Sequence, residues 1–273
     1  MNKKINTMYF SATETTKKVV TEIAKKLSEN IHGEMIVNSI DFTLPGVRKE
    51  SVSFQKEDIV IVGTPVYAGR VPNVLLKYLS TISGNGACAI PVVVYGNRNY
   101  DDALIELKDI LELNGFKVIA GGAFIGEHSF SRTLAKDRPD QKDMAIASDF
   151  ANQIYAKLET TQDISQGIVV KGNSPYRKYY MPKNKDGSPV DIRKVTPKTN
   201  SNCIDCKSCV AICAMGSIDY EDVSKFIGIC IKCGACIKKC PTQAKYYDDN
   251  DYLRHKYELE IEFATRREPE LFM

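Results

Sequence analysis

Eight of the nine cysteines lie between Cys203 and Cys240, where they form two copies of one spacing pattern. "CIDCKSCVAIC" and "CIKCGACIKKC" both follow C-x2-C-x2-C-x3-C, so that Cys203 recurs as Cys230 and Cys213 recurs as Cys240, each 27 residues later. Such a repeat indicates two copies of one metal-binding unit that face each other. The start of the chain has no apolar run long enough for a signal peptide, so we expect a cytoplasmic protein with reduced thiols. The eight cysteines therefore predict metal or redox chemistry instead of disulfides.

The spacing is typical of iron–sulfur ligation. Three cysteines within a short segment can bind one face of a cubane cluster, and in two-cluster ferredoxins the fourth, carried away on a helical turn, ligates the other cluster. Residues 200–250 resemble the bacterial ferredoxins with two [4Fe-4S] clusters. One predicted cluster is held by Cys203, Cys206, Cys209 and Cys240, and the second by Cys230, Cys233, Cys236 and Cys213. Structural zinc is the alternative, but zinc usually pairs two separated C-x2-C units in one tetrahedral site.

The repeat differs between its copies at one flanking position. Pro241 follows the last cysteine of the second motif, whereas Ala214 follows the last cysteine of the first. A proline fixes the backbone φ angle, so we expect a looser turn after Cys213, with no ligand lost.

Short apolar runs alternate with amphipathic segments through the first 160 residues. "INTMYF", "DIVIVGTPVY", "CAIPVVVYG" and "KVIAGGAFIG" are typical of strands in a sheet covered on both faces. Between them, apolar residues such as Val19, Ile23 and Leu27 recur at helical spacing. This alternation predicts an α/β fold with a doubly wound parallel sheet. The resemblance to the ferredoxins implies that a small α+β cluster domain follows it. Cys88 falls within one of the strands and is expected to be a core residue.

Three loops follow predicted strands at the edge where doubly wound sheets bind ligands: "FSATETT", "GTPVYAGRVP" and "YGNRNYDD". Residues 1–160 resemble the flavodoxins, and the last two loops, with the domain order, resemble the flavodoxin–ferredoxin fusion proteins of anaerobes along the whole chain. The resemblance implies an FMN site at these loops. Its phosphate residues would be Ser11, Ala12, Thr13, Glu14, Thr15 and Thr16, and its ring would lie between Pro65, Val66, Tyr67, Ala68 and Gly69 on one side and Gly96, Asn97, Arg98, Tyr100 and Asp101 on the other.

Glu14 is the unusual residue of the first loop, because the family usually has glycine there. A left-handed backbone at a non-glycine residue costs about 1–2 kcal/mol. A carboxylate near a phosphate adds a similar cost unless it points away. The four hydroxyls of the loop remain, and a negative charge in the first turn of a helix is favourable in itself. We therefore expect FMN to bind more weakly than it would to a glycine loop.

Residues 161–199 are predicted to form a basic linker that contains proline and tyrosine. Between residues 171 and 198 there are eight basic residues and two acidic ones. The prolines break any long helix, and we expect Tyr176, Tyr179 and Tyr180 to anchor an extended linker against one domain. A docking arm for an acidic partner is the alternative. Residues 251–273 form a charged tail, for which a helix is favoured over a strand.

These features predict an electron-transfer protein that moves electrons between two [4Fe-4S] clusters and FMN, with a redox protein as donor and another as acceptor. One alternative is a flavin-dependent reductase of a quinone or nitro compound, in which the clusters only carry electrons to the flavin within the protein. Another is a flavodoxin-like domain without flavin that serves as a scaffold.

No catalytic nucleophile and base stand out, and His128 is expected to be structural. The net charge of +3 gives no case for nucleic-acid binding, no run is long enough to insert in a membrane, and a homodimer is compatible with the sequence.

Overall fold

The structure, a computed structural model, describes residues 3–33, 37–160, 167–184 and 186–273. Within these residues, no helix combines the length and the apolar character needed to cross a membrane.

The N-terminal domain is built on a parallel sheet. Its strands are β1 (Lys4–Tyr9), β2 (Val37–Asp41), β3 (Asp58–Pro65), β4 (Cys88–Tyr95), β5 (Lys117–Val118) and β6 (Gly121–Ile125). They lie in the order β2-β1-β3-β4-β6, and the short β5 pairs with the beginning of β4. Since β5 and β6 together occupy the fifth place, this is the flavodoxin order 2-1-3-4-5. The predicted fold is confirmed.

Helices cover both faces of this sheet. They are α1 (Thr15–His32), α2 (Asn73–Leu79), α3 (Ala103–Leu113) and α4 (Gln141–Thr160). Alternate residues of β3 explain the two layers, because Ile59 and Ile61 pack with α1 and α4 while Val60 and Val62 pack with α2 and α3. Cys88 lies in the first of these cores, and its burial raises the pKa of the thiol.

The C-terminal domain repeats one backbone twice. Helix α5 (Ser208–Ala211) and helix α6 (Ala235–Lys238) begin and end at positions 27 residues apart. The residues with positive φ follow the same offset: Asp205 and Lys232, Lys207 and Gly234, Gly216 and Gln243. Strand β7 (Lys198–Thr199) pairs antiparallel with β8 (Lys245–Tyr246) and closes the domain.

The end of the chain returns to the N-terminal domain. Helix α7 (Asn250–Glu262) matches the predicted charged helix, and it is followed by β9 (Glu270–Phe272), a strand that the sequence did not predict. Strand β9 pairs antiparallel with β6 and so extends the sheet of the other domain. Arg138 donates to the buried Asp143 and to the carbonyl of Arg267, which ties this segment to the start of α4.

Asp143→Asn should lower the free energy of unfolding by about 3–5 kcal/mol. The substitution leaves the buried guanidinium of Arg138 beside a neutral amide instead of a carboxylate. Urea unfolding followed through far-ultraviolet circular dichroism measures the change. Asp191→Asn is the control, since Asp191 pairs with Arg193 on the surface and its loss should leave the unfolding midpoint in place. Equal shifts for the two variants would contradict the role given to the buried pair.

Candidate redox centres

The two sets of four cysteines each line a separate cavity. Site A is lined by Cys203, Cys206, Cys209 and Cys240, and site B is lined by Cys213, Cys230, Cys233 and Cys236. Four thiolates that bond one zinc ion at about 2.3 Å each converge on a single point. Among the described residues, no group of three or more His, Cys, Asp or Glu is close enough to share one metal ion. The arrangement fits a multi-iron cluster in each cavity.

The last cysteine of each motif lines the site of the other motif, and both of these cysteines receive the same hydrogen bond. The amide of Ser217 donates to Cys213 Sγ at 3.3 Å, and the amide of Ala244 donates to Cys240 Sγ at 3.2 Å. Hydrogen bonds to the sulfurs are among the factors that set the reduction potential of a cluster. Both sites thus carry the same bond at equivalent positions of the repeat.

The turn after Cys213 is not loosened by the missing proline. The amide of Gly216 bonds the carbonyl of Cys213 at 2.9 Å, as the amide of Gln243 bonds that of Cys240 after Pro241. Arg48 donates to the carbonyl of Ala214 at 2.7 Å and to the carbonyl of Phe42 at 2.9 Å, which joins this turn to the loop after β2. A contact between the domains therefore replaces the local constraint that proline would supply.

A third cavity, here called the loop cavity, lies where the loops at the carboxyl ends of β1, β3, β4 and β6 meet. It is formed by both domains, since Cys233 of the C-terminal domain is part of its lining. Its lining consists of Ala12, Thr13, Thr15, Thr16, Pro65, Val66, Tyr67, Val94, Tyr95, Gly96, Gly126, Glu127, His128, Ser129 and Cys233. The cavity thus lies at the ligand-binding edge of a doubly wound sheet, where the sequence predicted FMN.

The first loop presents hydroxyl groups and helix amides to the loop cavity. Thr13, Thr15 and Thr16 line it at the N-terminus of α1, where first-turn amides have no partner within the helix and attract anions. Ser11 is used differently, because its Oγ accepts from the amide of Lys17 at 3.0 Å. The residues of the loop fit a phosphate group, with threonines and backbone amides as the donors.

Glu14 has the left-handed backbone that glycine adopts most easily, with φ 66° and ψ −6°. Its side chain is not among the lining of the loop cavity and instead meets Lys239 of the C-terminal domain at 2.7 Å and Lys17 at 3.4 Å. Burial raises the pKa of Glu14, but the two lysines outweigh burial and the net pKa is lowered. The carboxylate is therefore turned away from the phosphate donors and compensated by positive charge.

The second loop forms a tight turn beside the cavity. Tyr67 and Arg70 exchange two backbone hydrogen bonds around Ala68 and Gly69, both of which have positive φ. This is the two-residue turn that such a pair of φ angles defines. Pro65, Val66 and Tyr67 line the loop cavity, whereas the turn residues Ala68 and Gly69 do not. Tyr67 is thus the aromatic residue that this loop offers to a flat ring.

Of the ring residues predicted in the third loop, Gly96 alone lines the cavity. Asn97 donates from its amide to the carbonyls of Phe263 and Thr265 in the tail. The remaining predicted ring residues also have other partners: Arg98 pairs with Asp101, and the hydroxyl of Tyr100 donates to Glu270 at 3.0 Å. The structure therefore uses this loop to hold the tail of the chain.

Residues of the β6 loop complete the cavity. The sequence did not predict them as site residues, and His128 was expected to be structural. Gly126, Glu127, His128 and Ser129 line the cavity from this loop. His128 has a structural bond, since its Nδ1 accepts from the amide of Phe130 at 3.1 Å. Burial, helped by the charge of Lys238, lowers the pKa of His128 to about 3, so the ring is neutral at physiological pH.

The linker lies along the N-terminal domain and is anchored by its tyrosines, as the sequence predicted. Tyr176 donates to Asp109 at 2.5 Å, the hydroxyl of Tyr179 donates to the carbonyl of Val71 at 2.7 Å, and the amide of Tyr180 donates to the carbonyl of Ala68 at 2.9 Å. The guanidinium of Arg70 lies over the rings of both Tyr176 and Tyr179. The linker thus covers the outer side of the β3 turn.

Cys233 belongs to the lining of both site B and the loop cavity. It is brought there by the next residue, Gly234, which has φ +77° and packs against the backbone of Ser129. A Cβ at Gly234 would lie 2.4 Å from the carbonyl oxygen of Ser129, closer than real Cβ atoms approach. The equivalent residue of the first motif, Lys207, has the same left-handed backbone. Glycine is therefore required here for the close approach of the two domains.

Comparison with known proteins finds similarities for both halves of the chain. A family model described as a 4Fe-4S binding domain matches residues 200–216 and 227–245. The pyruvate synthase subunit PorD of Methanothermobacter marburgensis is 37% identical over 62 residues, which are 23% of this chain and 73% of that protein. Among solved structures, an FMN-bound flavodoxin of Fusobacterium nucleatum is 19% identical, with 57% of this chain and 97% of that one covered and a TM-score of 0.38. Flavodoxin 1 of Bacillus cereus is 15% identical, with 58% of this chain and 99% of that one covered and a TM-score of 0.39. The flavodoxin fold of the N-terminal domain rests on its strand order instead of these scores.

Asp102→Asn should detach the first part of the linker. The buried Asp102 accepts from the amides of Asn173 and Arg177, and although burial raises its pKa, these hydrogen bonds lower it overall. Bonds to a charged acceptor contribute about 1.5–3 kcal/mol, so we expect the protection of both amides against hydrogen exchange to fall by about tenfold or more.

The sign of the pH dependence follows from the lowered pKa of Asp102. The attachment is fully present above the ordinary carboxyl pKa of about 4 and is lost as the pH falls through the folded-state value. Asp109→Asn is the control, because Asp109 accepts only from the Tyr176 side chain in this contact and should leave the two amides protected. Equal loss of protection in both variants would contradict the anchor.

Gly234→Ala should separate the β6 loop from site B. Gly33→Ala is a matched control, since Gly33 has φ +73° and no heavy atom of the described residues lies within 4 Å of the position that a Cβ would take there. Both variants carry the left-handed strain of about 1–2 kcal/mol, but only Gly234→Ala also displaces the Ser129 carbonyl. We expect faster amide exchange at residues 126–132 in Gly234→Ala alone. The same rate in both variants would show that the close approach is not required.

Proposed function

Since this chain is a flavodoxin–ferredoxin fusion protein, whose C-terminal motifs belong to the 4Fe-4S ferredoxins, we propose that it transfers electrons between two [4Fe-4S] clusters and an FMN. The clusters would be held in site A and site B, and the FMN in the loop cavity. When bound, the clusters supply single-electron transfer, and the flavin accepts one or two electrons. The chain itself sets the order, spacing and exposure of the three groups.

The observation that carries this proposal is the position of Cys233. One thiol lines both the site B cavity and the loop cavity, so a cluster bound there would be separated from a flavin by a single side chain. Short separation favours electron transfer, and no movement of the domains is needed to create it. This supports a direct path between site B and the flavin.

Site A is proposed as the port for an outside partner. Cys206 is exposed, whereas the equivalent cysteine of site B, Cys233, is partly buried. Site B, by contrast, faces the β6 loop through Gly234. Electrons would pass from a protein donor to site A, then to site B and to the flavin, or in the reverse direction. The similarity to a subunit of pyruvate synthase favours a larger oxidoreductase as that partner.

The side chains around the loop cavity would bind and orient the flavin. Thr13, Thr15 and Thr16 hold the phosphate at the positive end of α1. Tyr67 and Tyr95 offer aromatic faces for the ring, while Val66 and Val94 exclude water from it. None of these roles requires the carboxylate of Glu14, which is paired elsewhere.

The proposal is tested by the cofactor content of protein purified without oxygen. We expect about eight irons and about one FMN per chain, the content of two [4Fe-4S] clusters and one flavin. Cys233→Ser should reduce the iron of site B and slow the reduction of the flavin by a protein donor. Cys88→Ser is the control, because Cys88 is a core thiol outside both motifs.

Each other outcome has a defined meaning. A chain that stays free of flavin in excess FMN, with its iron intact, would leave a ferredoxin on a flavodoxin-shaped scaffold and overturn the proposal. Rapid turnover of a quinone or nitro compound without any protein acceptor would favour the small-molecule reductase instead.

A further inference from the structure

Two adjacent lysines at the end of α6 hold the C-terminal domain on either side of the loop cavity. Lys238 Nζ contacts Glu127 Oε1 at 2.5 Å and donates to the carbonyl of His128 at 2.7 Å. Lys239 Nζ contacts Glu14 Oε1 at 2.7 Å. Neighbouring residues of one short segment therefore reach two different loops of the N-terminal domain.

The two glutamates belong to the loops that build the cavity. Glu14 lies between Thr13 and Thr15 in the first loop, and Glu127 lines the cavity from the β6 loop. The lysines lie between two thiols assigned to different centres, Cys236 of site B and Cys240 of site A. A shift of this segment would move both cysteine sites relative to the cavity.

The internal repeat supplies a comparison within the same chain. The positions equivalent to Lys238 and Lys239 in the first motif are Ala211 and Ile212. Both copies have the same short helix and the same pattern of positive φ residues. The lysines are therefore not needed to form the motif, and they occur in the copy that contacts the flavodoxin-like domain.

The two ion pairs differ in their exposure to solvent. The side chains of Lys238 and Glu127 are 12% and 23% exposed, whereas those of Lys239 and Glu14 are 34% and 42% exposed. Salt screens exposed pairs more strongly than partly buried ones. The Lys238 pair would thus give the constant part of the contact, and the Lys239 pair the part that depends on ionic strength.

We infer that Lys238 and Lys239, with Glu127 and Glu14, form an electrostatic latch that positions Cys233 beside the flavin and sets the rate of electron transfer between site B and FMN. This inference rests on the proposed function and deepens it. Glu14 is a positioning residue in this account. Its presence in a phosphate loop is explained by the contact that it makes across the domain boundary.

Charge reversal and charge exchange test the latch. Lys239→Glu and Glu14→Lys each place like charges together, and the double variant Glu14→Lys with Lys239→Glu restores an opposite pair. In each we would measure the first-order rate of flavin reduction after rapid reduction of the clusters, the amide exchange of residues 126–132, and the iron and FMN content. An exposed pair changes an equilibrium by up to about fivefold, and reversal replaces this attraction with a repulsion, so a reversed pair should slow transfer by about tenfold.

The expected result has three parts. Each single reversal slows transfer and speeds amide exchange, the double variant returns both to within about twofold of the parent, and iron content is the same in all variants. Lys17→Gln is the control, because Lys17 also pairs with Glu14 but lies in the same domain. It should leave the exchange rate of residues 126–132 unchanged.

A double variant no better than either single variant would overturn the latch. Amide exchange separates this failure from a failure of the proposed function, because it is measured whether or not flavin is bound. If no variant holds FMN, the function proposed above fails, and the exchange rates alone decide whether the latch exists.

Discussion

The close approach of Gly234 to the carbonyl of Ser129 determines how the rest of this molecule is arranged. No residue with a Cβ fits there without movement of the backbone. The approach brings Cys233 into the wall of the loop cavity, whereas no cysteine of site A lines that cavity. Two equivalent cysteine sites thereby differ in their surroundings, because only site B faces the neighbouring domain.

Contacts from several segments support that approach. Arg48 binds the turn after Cys213, and Lys238 and Lys239 reach the β6 loop and the first loop. Strand β9 returns to the sheet beside β6. All of these contacts except the last lie near the carboxyl ends of the parallel strands, where a doubly wound sheet offers its loops. The edge that binds a small ligand in this fold therefore also serves as the docking surface for the cluster domain.

The sequence predicted what depends on local pattern. Alternating periodicity predicted the order of strands and helices, and the cysteine spacing predicted two sets of four thiols. Tyr176, Tyr179 and Tyr180 were identified as the anchors of an extended linker in which prolines exclude a long helix. The destinations of Asn97 and Tyr100 were not predictable, since their partners lie about 170 residues away in a tail whose periodicity was ambiguous. Likewise, nothing in the spacing of the motif shows which cluster site faces the cavity until Gly234 and Lys207 are compared.

The dependence of flavin reduction on protein concentration tests the central claim most directly. After the clusters are reduced in a rapid-mixing experiment, the flavin should be reduced with a rate constant that does not change with the concentration of the chain, because both groups lie in one molecule and are separated by Cys233. A rate that rises in proportion to concentration would mean that the flavin receives electrons from the clusters of another chain, which would contradict the direct path.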